Sequence, residues 1–238
     1  MIGITIELLL SWTLLYVLYR KDLSVLGLSL AKRKYLILLT GFFLPVFYLS
    51  ALYLSIAVMV GNPFTINPDY TWGKFAEGLG FVMRGVWYEE LLFRGALLYI
   101  IIKKWNSQTG LWISAITFGI YHWFSYGIIG QPFHMLTVFI STGTMGMLFA
   151  FAFYKSRTIW LPVVLHFGYN FTGMVLFSME KNVGAQLFIK RFTVDPIHPE
   201  GIIPLLLLVL YYTGFPLLCF MFLYKLKPEP DPELKQNQ

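Results

Sequence analysis

The chain has 238 residues, 57% of them hydrophobic and only 13% charged, with a mean hydropathy of +0.65 and a formal net charge of +6. A soluble domain of this length would carry about 25% charged residues, and several apolar runs reach the ~20 residues that cross a bilayer. The composition excludes a soluble globular protein, and the single cysteine, Cys219, excludes a disulfide framework and a thiolate metal site.

In chain order, residues 2–19 are apolar apart from Glu7, Ser11 and Thr13, and Arg20-Lys21 follows without a cleavage site. This reads as a spanning helix and not as a cleaved leader. A second span is predicted over 36–60, with Pro45 expected to kink it. The turn-rich loop 61–73 contains Asn62-Pro63 and Asn67-Pro68. The third segment, about 74–102, is longer than one span requires, so its opening is expected to lie along the interface or to tilt. Further spans are predicted over about 110–128, 133–154, 158–178 and 201–224. The run Ser141–Gly146 in the fifth suits close helix packing. The loop 179–200 is polar, and the segment 227–238 reads as a disordered cytoplasmic tail.

The fold class that follows is all-α: a polytopic membrane helical bundle with about seven spans, eight being the alternative. Residues 1–226 form one transmembrane domain with its core at about 74–178. The basic residues Arg20, Lys21, Lys32, Arg33, Lys34, Lys103, Lys104, Lys155, Arg157, Lys225, Lys227 and Lys235 fall on one set of loops. Lys74, Lys181, Lys190 and Arg191 fall on the opposite set. By the positive-inside rule the N-terminus is outside and the C-terminus cytoplasmic. The charge excess is therefore a topology signal, and no nucleic-acid partner is needed to explain it.

Within the third segment stands Tyr88-Glu89-Glu90-Leu91-Leu92-Phe93-Arg94-Gly95. An ionisable group at mid-membrane costs at least ~2.5–3.5 kcal/mol on insertion scales. Glu89, Glu90 and Arg94 together would cost roughly 8–10 kcal/mol without partners. Glu90 and Arg94, four apart on a helix, share a face and can pair. Glu89 is turned ~100° away and can meet a different partner. In the fourth span His122 lies about 18 Å from the basic end, and in the sixth His166 and Asn170 lie about 12 and 18 Å in. Glu89 and Glu90 lie about 18–20 Å from that end. Taken singly, a histidine is more often a packing residue and Asn170 a helix–helix hydrogen bond. Five costly polar groups at one depth are hard to assemble for packing alone. His134 and His198 fall near the outer surface and carry no functional reading.

Glu89-Glu90-x-x-x-Arg94, Phe118-x-x-x-His122 and His166-x-x-x-Asn170, in that order on successive helices, resemble the CAAX-protease and bacteriocin-processing (abortive-infection) family. That family includes the Ras-converting CAAX endopeptidase. Phe93 and Gly95 complete its EExxFRG form, and the resemblance covers about residues 80–175. It implies an intramembrane endopeptidase acting on a membrane-associated protein or peptide within the bilayer. Glu89 would be the general base, with His122 on the same water, and His166 and Asn170 would donate to the oxyanion. Glu90 and Arg94 would support them, Glu90 in turn positioning a histidine.

Three alternatives accompany this reading. Glu89, Glu90, His122 and His166 are acceptable zinc ligands, and members of the family have been called metalloproteases as well as glutamate proteases. The absence of an HExxH spacing and the poor ligand quality of Asn170 favour the form without a cofactor. Converging carboxylates and histidines also describe a proton-coupled carrier, although the chain shows no internal repeat. A non-catalytic scaffold or immunity protein would keep the fold without turnover.

Overall fold

A computed structural model describes residues 2–29, 34–178, 186–190 and 197–227. The protein is all-α and polytopic, as the sequence predicts. Nine α-helices fall among the described residues: α1 (Ile2–Tyr19), α2 (Tyr35–Met59), α3 (Trp72–Arg94), α4 (Ala96–Lys104), α5 (Ser107–Ser125), α6 (Pro132–Ser156), α7 (Trp160–Phe171), α8 (Ile203–Val209) and α9 (Phe215–Lys225). Since α3 and α4 follow one another, as do α8 and α9, they make up seven helical segments that coincide with the predicted spans. The expected tail over 227–238 lies outside the described residues, except for Lys227, and so does most of the loop 179–200.

Helices α1, α2 and α6, and the segment Ile203–Lys225, are long and apolar enough to cross a membrane. The segments carrying the candidate site are not among them. Helix α3 bears Lys74, Glu77, Arg84, Glu89, Glu90 and Arg94, and α7 has only 12 residues. In α3 the site's Glu89, Glu90 and Arg94 are half of the charged residues that interrupt the apolar run, and α7 falls short on length.

The chain divides into two compact units, with boundaries inside α2, α3, α7 and α9. The first comprises Met1–Leu38, Trp87–Val163 and Leu218–Gln238. In it, α5 and α6 form a closely packed hairpin. Its turn places Gly127 and Gly130 at φ +63 and +88°, a left-handed conformation that costs glycine little. The basic loops meet at one end of this unit. The Ile159 N–H donates to the Leu26 carbonyl at 2.9 Å, the Trp160 indole to Leu28 at 2.9 Å, and Lys34 Nζ to the Ser156 carbonyl at 3.0 Å. A short 3-10 turn, Leu23–Leu26, is capped by Asp22, whose carboxyl is held below its ordinary range by hydrogen bonds from Ser24.

The second unit comprises Leu39–Val86 and Val164–Leu217. Here the sequence reading of two plain loops is refined. Strands β1 (Phe64–Ile66) and β2 (Phe188–Lys190) pair antiparallel, with Thr65 opposite Ile189. Asn67 reinforces the ribbon, its N–H donating to Leu187 and its carboxamide to Gln186. Phe64, Phe177 and Phe188 pack beneath it around Leu49 and Tyr53. Two π-helical turns also depart from the predicted continuous spans. Thr172–Leu176 follows α7, and Leu210–Gly214 separates α8 from α9. At the second, the Tyr48 hydroxyl donates to the Leu210 carbonyl at 2.8 Å, taking up an acceptor of the widened turn.

Candidate active site

The end of α3 delivers the carboxylates of the first unit. The sequence predicts one helix through 74–102, but the helix stops at Arg94 and restarts at Ala96. Gly95 is the break, because a Cβ there would fall on the Leu91 carbonyl oxygen. The Ser114 hydroxyl of α5 donates to the Phe93 carbonyl at 3.4 Å beside this break.

Glu90 and Arg94 are both fully buried and form the expected pair, Arg94 Nη1 donating to Glu90 Oε1 at 3.2 Å. The second arm of the guanidinium, Nη2, donates to the Gly146 carbonyl of α6 at 2.9 Å. The Phe118 ring stacks on the guanidinium at 4.3 Å, with Phe149 at 5.3 Å and Phe93 at 5.7 Å. A buried charge is tolerable when it is paired, hydrogen-bonded and faced by aromatic quadrupoles. Gly146 belongs to this arrangement in two ways. It supplies the carbonyl, and a Cβ there would come within 3.0 Å of Phe118 Cβ and 3.1 Å of Ala115 Cα. The small-residue run predicted to favour close packing therefore brings α6 onto α5 at this level.

His122 sits on the buried face of α5. Its Nδ1 lies 2.8 Å from the Phe118 carbonyl, and since a carbonyl only accepts, Nδ1 carries the proton. Its Nε2 is turned to Glu89 Oε2, 4.0 Å away. Glu89 is the more open carboxylate, with its side chain 20% exposed against 0% for Glu90. The two adjacent glutamates thus have different environments, one bound to a guanidinium and one facing an imidazole. Phe118, expected only to support the site, touches both halves through its ring and its carbonyl.

A third carboxylate belongs to this unit. Helix α1 exposes most of its apolar residues, and Gly3, Glu7, Ser11 and Leu15 follow one another at i+4 spacing. Ser11 and Leu15 are buried, and a Cβ at Gly3 would lie 3.5 Å from the Tyr88 ring. Both Glu7 carboxylate oxygens are shielded, and Glu7 shares an electrostatic environment with Tyr88, Tyr121 and Glu89. Sequence reasoning noted Glu7 only as an exception within a span. Its i+4 register with Gly3 and Ser11 is the signal that marks its face.

In the second unit, His166 and Asn170 occupy successive turns of α7, with His166 buried. Asn170 Nδ2 lies 3.1 Å from His166 Nε2. With the amide as donor, the imidazole accepts at Nε2 and one amide hydrogen remains for another acceptor. Between them, Gly168 lets α2 pass closely, since a Cβ there would lie 2.7 Å from Pro45 Cγ. Phe42, Phe167 and Phe171 stack around this crossing.

Among the described residues no three His, Cys, Asp or Glu side chains stand close enough together to hold a metal ion. In the first unit Glu90 is engaged by Arg94, which leaves Glu89 and His122 as the facing pair. His134 pairs with Gln131 on the surface.

Residues 71–172 match the family model described as Type II CAAX prenyl endopeptidase Rce1-like. That span contains every candidate residue from Glu89 to Asn170, whereas Glu7 lies before it. No curated protein and no solved structure matches the chain.

Proposed function

We propose, from the match of residues 71–172 to the Rce1-like family of type II CAAX prenyl endopeptidases, a cofactor-free, glutamate-activated cleavage within the bilayer. The observation that carries this reading is the facing of Glu89 Oε2 and His122 Nε2 at 4.0 Å, with Nδ1 fixed on the Phe118 carbonyl. A water bonded to both at ordinary hydrogen-bond lengths would have an angle of roughly 90° between its partners, within the range water accepts.

In this mechanism Glu89 takes a proton from that water, and the resulting hydroxide attacks the scissile carbonyl carbon. The family resemblance assigns the oxyanion's donors to His166 and Asn170, and Asn170 has a second amide hydrogen besides the one directed at His166. Collapse breaks the C–N bond, and the protonated Glu89 returns its proton to the leaving amine. The products are a carboxylate and an amine, with one water consumed. Glu90 supports the site, paired with and oriented by Arg94. The substrate class is a membrane-associated protein or peptide. Prenylated CAAX proteins, bacteriocin leaders and other peptide precursors all meet that description. The basic end of the molecule is assigned to the cytoplasm, with the N-terminus outside.

Glu89→Gln is nearly isosteric but cannot take the proton. It should abolish cleavage while expression, thermal stability and substrate binding stay close to wild type. His122→Ala should lose as much, because residues acting on one water do not contribute additively. Asn170→Ala should lose about 10²–10³-fold, as for one oxyanion donor. Chelator should leave the wild type unchanged. Stoichiometric zinc, with activity lost to chelator and restored by metal, would replace this mechanism by the zinc-dependent one. Full activity of Glu89→Gln would remove the site assignment.

A further inference from the structure

The basic end of the first unit carries a feature that the peptidase reading does not use. Two concavities are linked through Lys155, which lines the smaller and lies over two rings of the larger. One, of about 490 Å³, is a groove lined by Met147 and Phe151 of α6 and by Phe220, Met221, Tyr224 and Lys225 of α9. The other, of about 200 Å³, is bordered by Lys34, Lys155 and Lys227 together with Ser156 and Thr158. Among the described residues no Asp or Glu lines either one.

The chemistry divides between them. The groove is apolar and aromatic along its length, with Lys155 Nζ at 5.8 and 5.9 Å from the Phe151 and Tyr224 ring centroids at its end. Three lysines border the smaller pocket, whose other walls are aliphatic residues of α2 and α7 and Leu226. Lys34 is held in place by its 3.0 Å bond to the Ser156 carbonyl. The positive-inside rule accounts for basic residues spread over several loops, but not for lysines from α6, from just beyond α9 and from just before α2 around one pocket. We infer that this is a binding site for one anionic phospholipid, its phosphate among Lys34, Lys155 and Lys227 and an acyl chain in the Met147–Phe151–Phe220 groove. Basic pockets between spanning helices on the cytoplasmic side commonly hold anionic head groups in this way.

The test uses the full chain purified in mild detergent, with native mass spectrometry of lipid adducts. Palmitoyl-oleoyl phosphatidylglycerol should be retained at lower lipid concentration than the matching phosphatidylcholine. Raising the salt should release the first and leave the second unchanged. Lys155→Gln/Lys227→Gln should weaken phosphatidylglycerol retention roughly 30-fold, about the worth of two lysines near an anionic surface. Lys103→Gln/Lys104→Gln should leave it unchanged. Glycerol 3-phosphate alone should not bind, because the groove would be empty. Equal retention of the two lipids, or a salt-independent preference, would overturn the proposal without recourse to any variant. So would an undiminished preference in the Lys155/Lys227 variant. Displacement by farnesylcysteine methyl ester would also overturn it, by making the groove part of the peptidase's substrate path.

Discussion

Arg94 is the residue on which the first unit's polar centre depends. Its two terminal nitrogens serve different elements, one binding Glu90 in its own helix and the other the Gly146 carbonyl of α6. Arg94→Leu would leave a buried carboxylate without its cation, a loss of ~3–5 kcal/mol if Glu90 stays charged. We expect reduced folded yield and a lower melting temperature together with lost activity. Near-normal yield and activity would show that the pair is not structural. The Glu90–Arg94 pair was legible in the sequence because helix geometry alone places i and i+4 together. The Gly146 carbonyl was not, since a backbone acceptor leaves no mark of its own in the residue pattern. Glu7 was hidden for a different reason. One carboxylate in an apolar span has no polar neighbour at helical spacing except Ser11, so its buried face emerges only once the exposure of the rest of α1 is known.

At the scale of elements, the predicted helical segments hold, and the departures from them lie where the backbone stops being regular. Hydropathy sees composition and therefore runs straight through Gly95, Thr172–Leu176 and Leu210–Gly214. The backbone leaves helical conformation at the first, where Gly95 has ψ −139° although its N–H still donates to Leu91, and hydrogen bonding widens at the other two. Gly95 is the sharpest case, because the motif that marks the site also ends its helix. Gly95→Ala would drive a methyl group onto the Leu91 carbonyl and force α3 and α4 apart or into one continuous helix. A loss of ~1–3 kcal/mol, typical of overpacking, should appear as a lowered melting temperature. Activity should fall further than stability does, since Glu89 and Glu90 lie in the last two turns before the break. A variant as stable and active as wild type would show that the break is incidental. The β1–β2 ribbon escaped the sequence reading because three-residue strands carry no period long enough to recognise.

For the molecule as a whole, the ribbon bears on topology. Pairing of β1 with β2 places loops 61–73 and 186–190 at the same end of the second unit. This agrees in parity with the distribution of Lys and Arg that assigns both to the outside. In a Cys219→Ala background, Thr65→Cys/Ile189→Cys should form a disulfide on mild oxidation, because directly opposed strand positions fall within disulfide range. In the same background, Asp69→Cys should label with an impermeant maleimide in intact cells and Gln108→Cys only after lysis. Labelling of Gln108→Cys from outside would invert the orientation, and failure of the cross-link would break the ribbon.

The bond from Arg94 to Gly146 also sets a timetable for synthesis. The two residues are 52 positions apart in the chain, so the guanidinium leaves the ribosome before its backbone acceptor has been made. At ~5–20 residues per second that interval is of the order of 3–10 s. Throughout it, α3 carries a cation whose Glu90 partner is present but whose cover from α6 is missing. A nascent membrane protein in that condition has to be sheltered by the insertion machinery or by water at its mouth. Nascent chains arrested after residue 130 should therefore cross-link to that machinery from position 94. Chains arrested late enough for α6 to have left the ribosome and entered the membrane should not.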